Sequence, residues 1–307
     1  MKDAAPMYYV PLGDSPPPTD SLPEIAPPWL TPADLGQAPS YRAGLRCTTT
    51  GYKCLDLALR GGFRAECLYV IAGRTGNGKT TITSNIARCT ALAGETVLLF
   101  KLEESPREAL WRIHSAAAQV EFRKLLDGNQ DADLEERSRL ADAWEMVREL
   151  PIRLSACREL DGIQRIARAH AEQGGGLIIV DQLSMIRAGG NVGYERATIA
   201  SNALRQLAVE LQVPILLVCQ VNRAAAKDEK PLTCHDLRDS GEIENDATAV
   251  LLLDKPRSAA QSWAVAPFLY LDVAVGKHRY GPLTEPDKPI VMTWFPLICR
   301  IEEGGRR

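Results

Sequence analysis

What this chain of 307 residues lacks narrows its function before any motif is read. Its eight cysteines, at 47, 54, 67, 89, 157, 219, 234 and 299, form no CxxC pair and have no accompanying histidine cluster. That spacing supports neither a zinc site nor a disulfide framework, and the expected state is buried thiols in a reducing cytoplasm. The excess of one charge sign over the other is small, 36 Lys and Arg against 39 Asp and Glu. A net charge of -3 gives no global attraction to nucleic acid, so any such binding must come from local loops. No apolar run reaches membrane-spanning length, and Met1-Lys2-Asp3-Ala4-Ala5-Pro6 lacks the apolar core of a secretory leader, so a cytoplasmic location is expected. What is present, 45% hydrophobic and 24% charged residues, is ordinary for a globular protein of one large or two modest domains.

Proline divides the chain. Ten of the twenty prolines fall before residue 40, in runs such as Pro16-Pro17-Pro18 and Pro27-Pro28 that hold few aliphatics. Residues 1–47 therefore read as an arm or linker, and residues 48–307 as the compact domain. A short helix is expected at Thr31-Pro32-Ala33-Asp34, with threonine as N-cap and proline at the first helical position. Trp29 and Leu30 beside it have two readings, docking on a neighbouring subunit or anchoring the tail within the chain.

The rest is organised around Cys67-Leu68-Tyr69-Val70-Ile71-Ala72-Gly73-Arg74-Thr75-Gly76-Asn77-Gly78-Lys79-Thr80. It reads as a buried strand, a glycine loop and a helix start, with Gly73, Gly78, Lys79 and Thr80 in the GxxxxGK[ST] spacing of a phosphate-binding loop. Glycines let successive N–H groups face a polyphosphate, and the following helix adds its positive end. The cradle then comprises Gly73, Arg74, Thr75, Gly76, Asn77, Gly78, Lys79, Thr80 and Thr81. Lys79 reaches the β and γ phosphates of ATP, and the Thr80 hydroxyl supplies an oxygen for Mg²⁺.

The pattern beyond the loop alternates strands and helices. Thr96 to Phe100 reads as a buried strand, and Ser105-Pro106-Arg107-Glu108 as a capping box opening a helix through Trp111 and Ile113. Between them stand Glu103 and Glu104, where a carboxylate could orient the attacking water; a solvated turn is the competing reading. Residues 134–150 and 159–173 read as helices, with a short strand at Ile152-Arg153-Leu154. Leu177 to Val180 is a strand ending on Asp181, a Walker-B arrangement whose carboxylate holds Mg²⁺ through its water shell. A glycine loop at 189–193 and a helix at 194–211 follow. The strand from Pro214 ends at Cys219-Gln220, and Gln220 either senses the γ-phosphate in the crevice or is a surface glutamine. Beyond Asp254 the extended segments Phe268–Val275, Ile290–Trp294 and Leu297–Ile301 read as hairpin strands added to a parallel sheet.

In this order, Thr50-Gly51-Tyr52, the phosphate loop, Phe100-Lys101-Leu102-Glu103, Val180-Asp181-Gln182-Leu183, Cys219-Gln220-Val221-Asn222-Arg223 and Asp236-Leu237-Arg238-Asp239-Ser240-Gly241 resemble the RecA-like motor domain of DnaB-type replicative helicases. Ser240-Gly241-Glu242-Ile243-Glu244-Asn245-Asp246-Ala247 is similar to that family's SG-x-IE-x-DA segment. Gly276-Lys277-His278-Arg279-Tyr280-Gly281-Pro282 is similar to the K-x-R-x-G-P stretch of its subunit interface. The resemblance implies an α/β, RecA-like P-loop NTPase with a mainly parallel sheet flanked by helices and C-terminal antiparallel strands.

It implies more. Glu103 would position the water, with Glu104 in place of a usually uncharged neighbour. Asp181 would be the Walker-B acid, and Gln220 would couple the γ-phosphate state to nucleic-acid loops. Lys277 and Arg279 would enter the nucleotide site of the next subunit, and Arg238, Asp239 and Gly241 would lie on a DNA-contacting loop. The implied activity is an ATP-dependent DNA helicase of DNA replication, a homo-oligomeric ring, a hexamer by resemblance, moving 5′ to 3′ on single-stranded DNA with a loader or other replication proteins as partners. Only residues 1–47 stand where the family carries an N-terminal helical domain, so the resemblance does not carry a collar or primase docking over to this sequence. A phage, plasmid or accessory version is expected instead, or a relative that hydrolyses ATP without unwinding. Two further readings are a RecA-fold ATPase serving as a switch or assembly platform for a protein partner, and a strand-exchange recombinase.

Overall fold

Aliphatic runs without polar alternation, such as Leu68-Tyr69-Val70-Ile71-Ala72, are stable only as strands covered on both faces. The computed structural model, which describes residues 46–190, 192–222, 230–237, 240–255, 267–285 and 288–304, contains such an arrangement. In chain order it runs β1 (Cys47–Thr48), α1 (Lys53–Ala58), β2 (Phe63–Arg64), β3 (Leu68–Gly73), α2 (Lys79–Leu92), β4 (Val97–Lys101), α3 (Pro106–Ala118), α4 (Phe122–Leu126), α5 (Leu134–Val147) and β5 (Ile152–Ser155). It continues with α6 (Leu160–Glu172), β6 (Leu177–Asp181), α7 (Gly193–Leu211), β7 (Ile215–Gln220), α8 (Ser240–Asp246), β8 (Ala249–Asp254), β9 (Leu269–His278), β10 (Ile290–Phe295) and β11 (Arg300–Glu303).

Among the described residues, nine strands form one sheet in the order β11-β10-β9-β8-β3-β7-β6-β4-β5. From β8 to β5 every pairing is parallel, and from β8 outward to β11 every pairing is antiparallel. Burial follows this division. Strands β3, β4 and β6 are buried at every position, whereas β9 alternates buried and half-buried residues over its first eight positions. A one-sided sheet face produces that period of two.

Two apolar layers enclose the parallel strands. Leu68, Val70 and Ala72 pack with Ile163, Ala167 and Leu204 from α6 and α7 on one face, while Tyr69 and Ile71 pack with Ile82 and Ile86 of α2 on the other. Each such fully buried aliphatic side chain contributes roughly 1.5–3 kcal/mol. A satellite cluster of Ala118, Val120, Leu125, Leu140 and Ala143 joins α3, α4 and α5.

Most expected elements are present, and the differences have local causes. The capping box at Ser105 forms with both reciprocal bonds, and α3 starts on Pro106. The helix expected over 134–150 ends at Val147, because Pro151 disfavours helical geometry just before it. The strand expected from Leu297 begins at Arg300; Pro296–Cys299 form the turn, with the Cys299 amide donating to the Pro296 carbonyl at 3.2 Å and Cys299 at φ 50°. Strand β8 was not expected at all, although it lies beside the phosphate-loop strand. Of the eight thiols only Cys67, Cys219, Cys234 and Cys299 are buried and Cys47 is exposed, which corrects the expectation for half of them. The arm up to residue 45, with the helix expected at Thr31 and the Trp29–Leu30 contact, lies outside the described residues.

Candidate nucleotide site

The parallel register decides which side chains meet. Gly73 at the end of β3 stands beside Gln220 of β7 on one side and Leu253 of β8 on the other. Lys101 at the end of β4 stands beside Asp181 at the end of β6. All these ends point the same way, so the loops that follow them share one crevice, where open α/β sheets hold ligands.

The loop between β3 and α2 is shaped by its glycines. Gly76 and Gly78 have φ of +77° and +74°, a conformation that side chains with a Cβ disfavour. Gly73 has a different reason, since a Cβ there would sit 2.8 Å from the Leu253 carbonyl oxygen. Lys79, the first residue of α2, is buried and curls back into the loop, its Nζ donating to the carbonyls of Gly73 at 2.8 Å and Arg74 at 2.9 Å. Burial holds its ammonium below the ordinary lysine range, while Asp181 and Glu103 pull the other way. The loop is braced from outside. The Arg74 guanidinium bonds Asp254 at 2.6 Å, and the Asn77 amide reaches the Leu253 carbonyl and Asp254 at 3.4 and 3.3 Å. Arg74, expected on the phosphates, thus has its guanidinium turned to the tip of β8.

A cavity of about 220 Å³ opens over this loop, lined by Thr75, Gly76, Gly78, Lys79, Thr80, Thr81, Glu103, Gln182, Gln220 and Trp294. Glu103 is exposed there and accepts a hydrogen bond from Gln182. Glu104 is committed elsewhere, to Lys101 at 3.2 Å and to Arg112 at 2.7 Å. This separates the two carboxylates that sequence spacing left equivalent. A second cavity of about 210 Å³ is lined by Thr80, Lys101, Glu103, Glu104, Arg112 and Asp181. A hydroxyl and carboxylates facing one small space are hard oxygen donors, the set that suits Mg²⁺. Asp181 itself is buried, and its Oδ2 accepts from Lys101 at 2.8 Å and Thr83 at 3.2 Å. Among the described residues no group donates to its Oδ1.

Gln220 also lines a third cavity, of about 250 Å³, with Leu183, Ser184, Ile186, Gly193, Arg196, Ala197 and Cys219. It therefore stands between the phosphate loop and the segment after Asp181. Lys277 and Arg279 do not join this site. Their strand β9 runs antiparallel to β8, with Lys277 beside Val250 and the Arg279 amide bonded to the Thr248 carbonyl at 2.8 Å. These positions are three to five residues from the tip Leu253, on the order of 10–17 Å at strand rise. Both side chains instead donate to main-chain carbonyls near the end of α8, Lys277 to Glu244 and Asn245, Arg279 to Asn245 at 3.3 Å. Gly241 is exposed in the first turn of α8, and Arg238 and Asp239 lie outside the described residues.

Four participants were not anticipated as such: Lys101, Gln182, Asp254 and Trp294. Two had a readable signal, because Lys101 and Asp254 are charged residues closing otherwise apolar strands. The signal for Trp294 is only spatial; its ring lies 3.4 Å from where a Gly78 Cβ would be.

Residues 47–291 match the family model of the DnaB-like helicase C terminal domain. The chain is 31% identical over 255 residues to the replicative DNA helicase DnaB of Haemophilus influenzae, covering 78% of this chain and 53% of that protein. It is 28% identical over 249 residues to the protein of the same name from Geobacillus stearothermophilus, covering 76% and 52%. The chain thus spans about half the length of these curated relatives. In fold it is similar to a solved DnaB-like replicative helicase, one whose interactions with primase were described with it. The TM-score is 0.76 at 20% identity, over 85% of this chain and 63% of that one. The expected RecA-like architecture is therefore present, and by its sequence the chain belongs to the DnaB-like helicase family, whose C terminal domain it carries.

Proposed function

We propose that this protein is an ATP-dependent DNA helicase motor, working as a homo-oligomeric ring, a hexamer, that moves 5′ to 3′ along single-stranded DNA during replication in the cytoplasm. Residues 48–307 form the motor and residues 1–47 an arm; a loader and other replication proteins are its partners. Among the described residues no helix is long and apolar enough to cross a membrane.

The observation that carries this reading is the placement of charge at the two ends of the sheet. The chain's own phosphate loop lies at the carboxyl ends of the parallel strands, and Lys277 and Arg279 lie towards the amino ends. Cations so far from their own cradle suit a cradle on a neighbouring copy. Charge spread over a transferring phosphoryl group is stabilised by such a residue in trans.

At the cradle, Lys79 exchanges its two carbonyl contacts for β and γ phosphate oxygens of ATP. Thr80 and Asp181 would hold Mg²⁺, which would supply positive charge against the charge developing on the phosphates. Glu103, facing the phosphate cavity beside Gln182, orients the attacking water. Gln220, shared between two cavities, transmits the state of the γ-phosphate towards the loop after Asp181. Lys277 and Arg279 rest on the carbonyls of α8, whose first turn carries Gly241. Their engagement with a neighbouring nucleotide would therefore pull on the helix that follows Arg238 and Asp239, the proposed DNA-contacting loop.

The test is ATP hydrolysis with and without single-stranded DNA, across a dilution series, together with unwinding of a forked duplex. DNA-stimulated hydrolysis that collapses when the assembly dissociates is the expected result. Brisk hydrolysis by dispersed monomers would overturn the shared site. Hydrolysis indifferent to DNA would instead favour a switch or assembly platform for a protein partner.

A further inference from the structure

Lys101 is the least exposed charged side chain at the site, 1% accessible, and no role was expected of it. It ends a strand whose other four residues are the buried Val97, Leu98, Leu99 and Phe100. Its Nζ lies 2.8 Å from Asp181 Oδ2 and 3.2 Å from Glu104 Oε1. Glu104 is held in turn by Arg112 at 2.7 Å, and the Arg112 guanidinium stacks 4.4 Å from the centroid of the Phe122 ring. The result is a row of alternating charge, Asp181, Lys101, Glu104 and Arg112, fixed by packing on three elements. An ammonium with so little exposure cannot swing to solvent without breaking both of its carboxylate contacts.

We infer that Lys101 is a positioning residue that masks Asp181, so that a divalent cation is bound at this site only together with a nucleotide. This rests on reading Thr80 and Asp181 as the metal-holding pair. The physical reason is local charge. A bare carboxylate buried beside Glu103 and Glu104 would attract a divalent cation by itself, whereas a cation already seated on Oδ2 opposes a second one a few ångströms away. A nucleotide reverses the balance by bringing its own phosphate charge. The same ammonium holds Glu104 out of the phosphate cavity and leaves Glu103 as the carboxylate available to water.

The test uses Mn²⁺ as the probe, with unbound Mn²⁺ followed by electron paramagnetic resonance on the full chain, with and without ADP. In the unaltered protein, ADP should tighten Mn²⁺ binding at least tenfold; if it does not, the nucleotide-site reading fails, independently of Lys101. Without nucleotide, Lys101→Met should bind Mn²⁺ at least tenfold more tightly than the unaltered protein. Adding Asp181→Asn should remove that gain, and Lys101→Arg should behave as the unaltered protein. A folded Lys101→Met variant with unchanged or weaker nucleotide-free Mn²⁺ binding would overturn the inference. Lys101→Met with Glu104→Gln, which removes one charge of each sign, should also bind Mn²⁺ more tightly, and its failure to do so would overturn the inference equally. Asp181→Asn alone supplies a measurement in which Lys101 is untouched. Because Asp181 is already masked, it should change nucleotide-free Mn²⁺ binding less than twofold, and a tenfold loss would also overturn the inference.

Discussion

At the carboxyl ends of the parallel strands, charge is matched by charge within the chain: Lys101 with Asp181 and Glu104, Arg112 with Glu104, Arg74 with Asp254. Towards the amino ends, Lys277 and Arg279 are held by the carbonyls of Glu244 and Asn245, and among the described residues neither bonds a carboxylate side chain. Burial first, then the neighbouring Arg279, depress the Lys277 ammonium below its ordinary range. At the first end Lys101, Arg112 and Arg74 are thus paired with carboxylates and Lys79 is held by carbonyls, whereas both cations at the other end are held by carbonyls. On the function proposed above, a complete site would take two copies of the chain, one supplying the cradle and the other the cations.

The largest expected effect breaks the end that carries Lys277 and Arg279. Arg279→Ala should lower ATP turnover roughly 10³- to 10⁵-fold, the range for a cation supplied in trans, while nucleotide affinity stays within a few fold. Near-normal turnover would dissolve the contrast between the two ends. Mixing this variant with Lys79→Ala sharpens it: each is inactive alone, and mixed assemblies should regain measurable phosphate release, because some interfaces join an intact cradle to an intact Arg279.

Next comes the end that carries the cradle. Glu103→Gln should lower hydrolysis roughly 10²- to 10⁴-fold with ATP binding kept, as expected on losing a positioned base. Glu104→Gln should act more mildly, through Lys101 and Arg112; the reverse order, read from single-turnover rates, would exchange the two roles.

A smaller effect probes the brace on the loop. Asp254→Ala removes the carboxylate partner of Arg74 and Asn77, and losing hydrogen bonds to a charged group of this kind is worth about tenfold in nucleotide affinity. Equilibrium binding of a fluorescent nucleotide measures it. An unchanged affinity would mean that the loop holds its shape without Asp254.

The smallest effect concerns stability. His170 is buried on α6, with Arg153 Nη1 3.1 Å from its Nδ1, and burial, then Arg153, push its pKa down from 6.5 to about 4. Between those values the unfolded chain binds a proton that the folded chain does not. The stability is therefore fully present above about pH 6.5 and is lost as pH falls towards 4, with a limiting slope of about 1.4 kcal/mol per pH unit. Thermal unfolding at pH 7 and pH 5 should show the loss, and His170→Gln should flatten it. Turnover at neutral pH should be untouched, since His170 belongs to neither half of the proposed shared site.

Much of this was legible beforehand, and the reasons differ by element. The phosphate loop could be read because its chemistry is consecutive: the strand, the glycines, Lys79 and Thr80 all lie within fourteen residues, and backbone geometry does the rest. Asp181 and Gln220 were legible because an apolar strand ending in a polar residue marks a crevice edge. Strand β8 escaped because its aliphatic run, Ala249 to Leu253, was not separated from the helical segment before it. The choice between Glu103 and Glu104 was open by spacing and was made only through the family resemblance; in the structure the two are parted by their partners. One partner of Glu104 is Arg112, eight residues further on and one helix away.

By itself the sequence determined the elements: hydrophobic runs, proline and glycine act on the few residues around them, and so does the capping box at Ser105. Only the tertiary structure decided which ends of those elements meet. Parallel pairing brings the carboxyl ends of β3, β4, β6 and β7 into one crevice, and antiparallel pairing of β9 carries Lys277 and Arg279 away from it. Strand register fixes that outcome, because it sets which charges share a dielectric and which are kept apart.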